Sequence, residues 1–346
     1  MAEATATTDA NRRRGDRGRR AIVTFVLEHL VWFILAAVLL VLSFGVDNFF
    51  QINIFSNIAK QATFVGVMAI GLAMVMIAGH LDLSSESVMA FAGMSGAMLV
   101  ATGGPPALGL AIHPVFILLL TVGIGAAIGF INGFLVVKAK INAFIVTLAT
   151  WMIFRGFVHV VSGGRTPRSL PDLWRGIAMP IPLPWVPPQV SWFTLILIAA
   201  FLLFGFILGR TRFGRYVYLI GGDDKAPFRA GVPVDRVLIT VFVLAGALAG
   251  FAGWLLAARL DSVSANLGIG MLFEVFAAVV IGGVSLRGGI GNLSGVFAGA
   301  LLLSTITTAI TVIRIPVEYQ RVIFGTILLL AVLLDTAKIW LRAKLL

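Results

Sequence analysis

Apolar runs long enough to cross a bilayer recur along this chain from residue 21 to residue 337. Each crossing takes about 20 residues of helix. Transmembrane β-strands would alternate apolar and polar residues, and these runs do not, so helices are the expected form. Composition points the same way: of 346 residues, 59% are hydrophobic and 12% charged, against about 25% charged in an ordinary soluble domain. There is too little polar side chain to cover a water-facing surface. The sequence predicts an all-α polytopic membrane protein of about ten transmembrane helices. They fall near 21–44, 57–79, 85–102, 113–137, 141–162, 191–210, 235–257, 269–284, 290–313 and 317–337.

Charge gives the sidedness. With the N-terminus inside and loops alternating, 18 Lys and Arg residues fall inside, seven fall outside, and Arg155 lies within a span. The inside set comprises six arginines of residues 1–20, Lys138, Lys140, Arg210, Arg212, Arg215, Lys225, Arg229, Arg236, Arg287, Lys338, Arg342 and Lys344. The split follows the positive-inside rule and places both termini in the cytoplasm. The net charge of +11 is therefore read as topology, not as a nucleic-acid footprint. Residues 1–20 read as a disordered basic cytoplasmic tail. The run from Ala21 to Phe44 is too long for a signal peptide and ends without a cleavage site, so it is expected to be an uncleaved anchor. Residues 21–346 form one transmembrane domain. The outside loop 163–190 carries Pro167, Pro171, Pro180, Pro182, Pro184, Pro187 and Pro188 with Trp174, Trp185 and Trp192, which predicts a stiff interfacial cap. Residues 211–234 are the sizeable inside connection. The absence of cysteine excludes disulfides and thiol catalysis.

Small residues recur at helical spacing: Gly125, Gly129 and Gly133; Gly291, Gly295 and Gly299; Gly246 and Gly250. Such faces predict close helix packing. Gly79–Met98 and Gly282–Leu301 share a loose pattern of Gly and Ser followed by a small-residue helix, in parallel orientation rather than the inverted one of a five-plus-five duplication. No lysine follows a glycine, so a P-loop is absent, and no strand precedes Gly123-Ile-Gly125 or Gly289-Ile-Gly291 as a dinucleotide loop requires. The four histidines have no metal-ligand spacing, and no catalytic constellation is legible. This chain is not read as an enzyme, and no cofactor or metal is expected on it. If ATP drives it, another subunit binds the nucleotide.

Charges inside spans are few. Arg155 and Glu274 are the clearest, and burial costs each roughly 2.5–3.5 kcal/mol unless it is paired. They are expected to face the protein interior and to pair. Asp82 and Glu86 fall at the turn after the second span, where Asp82 and Ser84 can cap the next helix. In the inside loop, Asp223 or Asp224 is a good N-cap, Pro227 fits only a first helical turn, and Gly231 is a natural stop. A very short helix, about 224 to 230, is predicted across the cytoplasmic face, with Phe228 as its apolar knob and Arg229 its charge.

Five motifs in order carry a resemblance over residues 45 to 335. They are Gly79-His-Leu-Asp-Leu-Ser-Ser-Glu-Ser87, Asn132-Gly-Phe-Leu-Val136, and Phe144-Ile-Val-Thr-Leu-Ala-Thr150 with Arg155-Gly156. Phe213-Gly-Arg-Tyr-Val-Tyr-Leu-Ile-Gly-Gly222 and Ala277-Ala-Val-Val-Ile-Gly-Gly-Val-Ser-Leu286 complete the set. The chain resembles the ribose/xylose/arabinose-type permease subunits of bacterial ABC importers. The resemblance implies an inner-membrane subunit that pairs with a second permease copy or paralogue. It also implies two cytoplasmic ATPases that bind ATP and magnesium, and a periplasmic binding protein that delivers a sugar or polyol. The family's coupling element maps onto Arg215 through Gly231, including Asp223, Asp224, Lys225, Phe228 and Arg229. Asp82, Glu86, Asn132, Thr147, Arg155 and Glu274 are the candidates for the translocation path. Two departures stand out: Asp223-Asp-Lys-Ala-Pro227 replaces a run like Asn-x-x-Ala-Ala, and Ser85-Glu-Ser87 stands where Val-Gly-Ser is common. Two other readings stay open. One is a branched-chain amino-acid permease, against which the motifs around Asp82 and Thr147 argue. The other is a stand-alone secondary transporter or channel, which should carry coupling charges or a filter. The path shows no evident sugar-binding cluster of Asp, Asn and Trp, and the sequence does not choose among pentose, hexose, inositol, polyol and a furanose signal molecule.

Overall fold

The structure is a computed structural model that describes residues 29–105, 107–181, 189–223, 225–316, 319–320, 322–330 and 332–333. The tail 1–20, Asp224, Trp185 and the prolines at 182, 184, 187 and 188 lie outside the described residues. In chain order the helices are α1 (Leu30–Gly45), α2 (Ile52–Ile77), α3 (Ser85–Val100), α4 (Pro114–Val137), α5 (Ala143–Ser162) and α6 (Asp172–Arg175). They continue with α7 (Trp192–Arg210), α8 (Arg212–Gly222), α9 (Ala226–Arg229), α10 (Val234–Leu260), α11 (Met271–Ile281) and α12 (Leu293–Val312). Residues 322–330 are also helical.

The expected count of about ten crossings is corrected here. Among the described residues, six helices are long and apolar enough to cross a membrane: α2, α4, α5, α7, α10 and α12. The predicted span 85–102 is α3, of 16 residues, and 269–284 is α11, of 11 residues. The described part of 21–44 is α1, also 16 residues, and 317–337 falls partly outside the described residues. At about 1.5 Å per residue, α11 is roughly 16 Å long, half of a hydrocarbon core of about 30 Å. Apolar runs misled because α3 and α11 are apolar for another reason. Met89, Ala90 and Met94 of α3 and Val275, Ala278 and Val279 of α11 are enclosed by protein.

The centre is α2, whose most apolar window is 89% buried. Around it, α10 packs on α4, α2 and α3, while α12 packs on α2, α11 and α1. Helices α4, α5 and α7 form a rim that leaves large apolar side chains exposed, among them Phe130, Phe157 and Phe206. The glycine faces set the spacing. A Cβ at Gly125 would overlap the Gly246 carbonyl oxygen, and one at Gly250 would overlap that of Thr121, so α4 and α10 touch backbone to backbone. Gly295 and Gly299 of α12 lie in the same way on Gly282 and Ala278. Gly291 instead meets the side chains of Ile77 and Val284.

At the end where α10 finishes, the 163–181 segment is clamped in place. Trp174 of α6 is buried; its Nε1 donates to the Trp254 carbonyl at 2.9 Å, and the two rings stack 5.8 Å apart. Asp261, left-handed at φ 52°, accepts from the Leu170 N–H at 2.7 Å and pairs with Arg175 at 3.3 Å. Arg168 exchanges both backbone hydrogen bonds with Gly103.

Candidate functional site

Two interior helices stop and the chain resumes in a new one. Helices α2 and α11 end alike. Gly79 (φ 83°) donates to Met76 and His80 to Val75; Gly283 (φ 87°) donates to Val280 and Val284 to Val279. This closure needs a left-handed residue, which glycine adopts without strain. The pattern shared by Gly79–Met98 and Gly282–Leu301 is thus the pattern of two helix breaks.

After the first break, residues 80–84 lie outside any helix and run past α5. Buried backbone needs hydrogen-bond partners, and a polar ladder holds this stretch. Asp82 Oδ1 accepts from the Ser84 N–H at 2.8 Å and hydroxyl at 2.6 Å. Asn132 Nδ2 donates to Ser84 Oγ at 3.0 Å, and the Thr150 hydroxyl donates to Asn132 Oδ1 at 2.6 Å. Thr147 is buried one turn below, its hydroxyl on Ala143 O at 2.8 Å. Ser84 occupies the N-cap position of α3 but makes no side-chain cap bond. The capping expected of Ser84 is therefore corrected, since its hydroxyl turns into the ladder, whereas Asp82 does accept from the Ser84 N–H at the head of α3.

Glu86, in the first turn of α3, is 3% exposed and joins three elements. It accepts from Arg155 Nη2 at 2.6 Å and from the N–H groups of Gly270 and Leu272 at 3.0 and 3.1 Å. Arg155 Nη1 also donates to Leu267 O at 3.0 Å. The expected pair of Arg155 with Glu274 is not formed. The open N-terminus of α11 supplies peptide donors and partial positive charge to Glu86, and Arg155 follows that carboxylate. Glu274, further along α11 and equally buried, accepts from Thr307 Oγ1 at 3.0 Å and from Gln61, whose Oε1 in turn accepts from Arg259 at 3.0 Å.

Glu86, Arg155 and Glu274 line one cavity of about 900 Å³. Its other polar walls are Gln61, Trp151, His159, Asn266, Thr307 and Gln320. Trp151, Arg155 and His159 follow Thr147 at four-residue steps, making a polar stripe on α5. That spacing is the signal that would have found Trp151 and His159, which sequence reasoning missed. Gln61, Asn266 and Gln320 are single residues on separate segments and carry no such signal. Asp82, Asn132 and Thr147 do not line the cavity.

The end of α2 meets a second arrangement. Helix α8, not foreseen from sequence, begins at Thr211, whose Oγ1 accepts from the Gly214 N–H at 3.3 Å. Its Gly221 lies on the Ile77 carbonyl, Gly289 donates to that same carbonyl at 2.8 Å, and a Cβ at Gly288 would come within 2.8 Å of the Gly79 Cα. Both helix breaks therefore touch α8. Beyond it, α9 lies within the 224–230 stretch where a short helix was predicted. Asp223 Oδ1 accepts from the N–H groups of Lys225 and Ala226 at 2.7 and 3.1 Å, which holds its carboxyl below the ordinary range. Phe228 is 71% exposed, and Arg215, Lys225, Arg229 and Gly231 are exposed beside it.

Residues 54–332 match the family model described as the branched-chain amino acid transport system permease component. The chain belongs to this permease family. The L-arabinose ABC transporter permease protein AraH of Azospirillum brasilense is 35% identical over 298 residues, 85% of this chain and 83% of that protein. The ribose import permease protein RbsC of Escherichia coli K12 is 32% identical over 328 residues, 93% and 98% of the two chains. The L-arabinose transport system permease protein AraH of the same strain is 36% identical over 309 residues, 85% of each. No solved structure matches the chain. The permease is thus a multi-pass inner-membrane transport subunit of the ABC importer class, a component that works with ATPase and binding-protein partners rather than an enzyme. In this permease the polar candidates divide into a cavity set (Glu86, Arg155, Glu274) and a scaffold set (Asp82, Asn132, Thr147), while the loop candidates gather around α9.

Proposed function

We propose that the chain is the membrane subunit of an ATP-driven importer for a sugar or polyol handed over by a periplasmic binding protein. The observation that carries the reading is the 32–36% identity to ribose and arabinose permeases across most of both lengths. The family model's description favours a second reading, a branched-chain amino-acid substrate. ATP and magnesium belong to a separate ATPase that docks on the exposed, basic surface of α8 and α9, the cytoplasmic face. A second permease, a copy or a paralogue, completes the path. Ligand and nucleotide shift the outward- and inward-facing states only by their differential affinity for them, so ATPase closure must reach the interior through contacts such as the Gly221 junction.

The test is reconstitution with the ATPase and binding protein in liposomes. The expected result is ATP-dependent accumulation of D-ribose or L-arabinose and none of L-leucine. Phe228→Asp should abolish coupled uptake while insertion and folding persist. Leucine accumulation would support the second reading. Solute carried by the permease alone, without ATP or companions, would overturn both.

A further inference from the structure

We infer that the cavity between α5, α11 and α12 is a transit site for a neutral polyhydroxylated ligand, a site that contacts the sugar within the permease itself. The inference rests on the importer reading and deepens it. The cavity, at about 900 Å³, falls in the range of small-molecule pockets and has room for a monosaccharide with part of its hydration shell.

Three observations define the ligand chemistry. First, the walls present neutral amides on three separate segments, Gln61, Asn266 and Gln320, each able to donate and accept. Sugar hydroxyls need that dual capacity. Second, the indole Nε1 of Trp151 has no hydrogen-bond partner among the described residues. A buried N–H without a partner is costly. Trp151 lines the cavity, and a ligand hydroxyl would satisfy its donor while the ring offers an apolar face. Third, the charges are largely committed. Arg155 is the only Lys or Arg among the described lining residues, and its Nη1 and Nη2 are held by the Leu267 carbonyl and Glu86, which leaves only Nε without a partner among the described residues. A zwitterionic amino acid would find the Nη2 position already taken by Glu86 and a single N–H left for its carboxylate. Glu274 binds only neutral groups, Thr307 and Gln61, and its carboxylate remains able to accept further hydrogen bonds from hydroxyls.

The test uses the permease–ATPase complex in nanodiscs without the binding protein, with saturation-transfer NMR on D-ribose, L-arabinose, myo-inositol and L-leucine. Transfer is expected to at least one of the three polyhydroxylated probes and not to leucine. Trp151→Phe, which keeps an aromatic face and removes the N–H, and Glu274→Gln should each weaken that signal about threefold to tenfold, as the loss of one hydrogen bond predicts. Stoichiometric co-purification with the ATPase checks that each variant folds. If a variant does not assemble, the wild-type preference among the four probes decides alone. No transfer to any polyhydroxylated probe, transfer to leucine instead, or unchanged signals in both assembled variants would overturn the site. A wild-type complex that still accumulates sugar with ATP and binding protein in that case leaves the importer reading standing; one that accumulates none removes that reading too.

Discussion

Replacing Glu86 by glutamine should destabilise the permease by about 3 kcal/mol, near the lower end of the cost of breaking a buried ion pair from one side. The figure follows from what surrounds the carboxylate. Side-chain exposure is 4% for Glu86 and 12% for Arg155, so water replaces either partner poorly. Glutamine keeps the shape and one acceptor oxygen, which serves either the guanidinium or the α11 peptide groups but not both. Its amide nitrogen is then turned toward donors. Alanine removes every acceptor and should cost more, about 4–5 kcal/mol. Glu274→Gln should cost less than about 1 kcal/mol, because the partners of Glu274 are a hydroxyl and an amide that also suit glutamine. Denaturant titration in detergent micelles reads these numbers; about 3 kcal/mol is a little over a hundredfold in the unfolding equilibrium. Exchanging the charges at Arg155 and Glu274 should rescue nothing, whereas Glu86→Gln with Arg155→Gln should cost less than the sum of the two. A Glu86→Gln loss below about 1 kcal/mol, or equal losses at Glu86 and Glu274, would refute the assigned pairing.

Three further outcomes are expected. Gly246→Leu should prevent α4 and α10 from seating, because even a Cβ there would overlap Gly125. Gly205→Leu, where nothing lies within 4 Å, should leave expression and monodispersity in detergent unchanged. Gly221→Ala should leave ATP hydrolysis running in the complex while sugar uptake falls about tenfold, since the added carbon would overlap the Ile77 carbonyl. Asp223 is held below its ordinary value of 3.8 by two backbone donors. Its contribution to α9 is thus fully present above that pH and lost as pH falls through the depressed folded value. Hydrogen exchange at Lys225 and Ala226 should be indifferent to cap protonation from about pH 8 to pH 5, and the cap itself should fail only in stronger acid.

Class, packing faces and the short loop helix were legible because each rests on local chemistry. The four-residue glycine steps name the helix faces that meet, and Asp223, Pro227 and Gly231 each mark a turn position regardless of what lies around them. Crossing number was not legible, because hydropathy records that Val275 and Met89 avoid water and does not say whether lipid or protein does the covering. The Glu86 pairing was hidden for a related reason. Its partners sit 69 and 184 or more residues away in the chain, and two of them are backbone N–H groups that exist as donors only because α11 starts there. No residue type announces a helix whose first turn is buried against another segment. Gly79 and Gly283 came closest, since a left-handed closure inside an apolar run is a local feature with a global consequence.

That consequence is mechanical. Helix α11 is a rigid element of about 16 Å whose N-terminal end is hydrogen-bonded to Glu86 at the cavity wall and whose C-terminal end leads, through residues 282–289, into the glycine junction beneath α8. On the proposed docking, a displacement of α8 by the ATPase would move Gly289 and Ile77 together, because a 2.8 Å hydrogen bond joins them, and α11 would carry the movement to Glu86 and Glu274. The two ends are too far apart for their side chains to affect each other's local stability. The unfolding costs of Gly221→Ala and Glu86→Gln should therefore add within about 0.5 kcal/mol. Uptake should behave differently. If α11 is the connection, breaking it at either end already disconnects cavity from ATPase, and the double variant should transport little worse than the poorer single one. Uptake losses that multiply as independent factors would mean that the two ends act through separate routes.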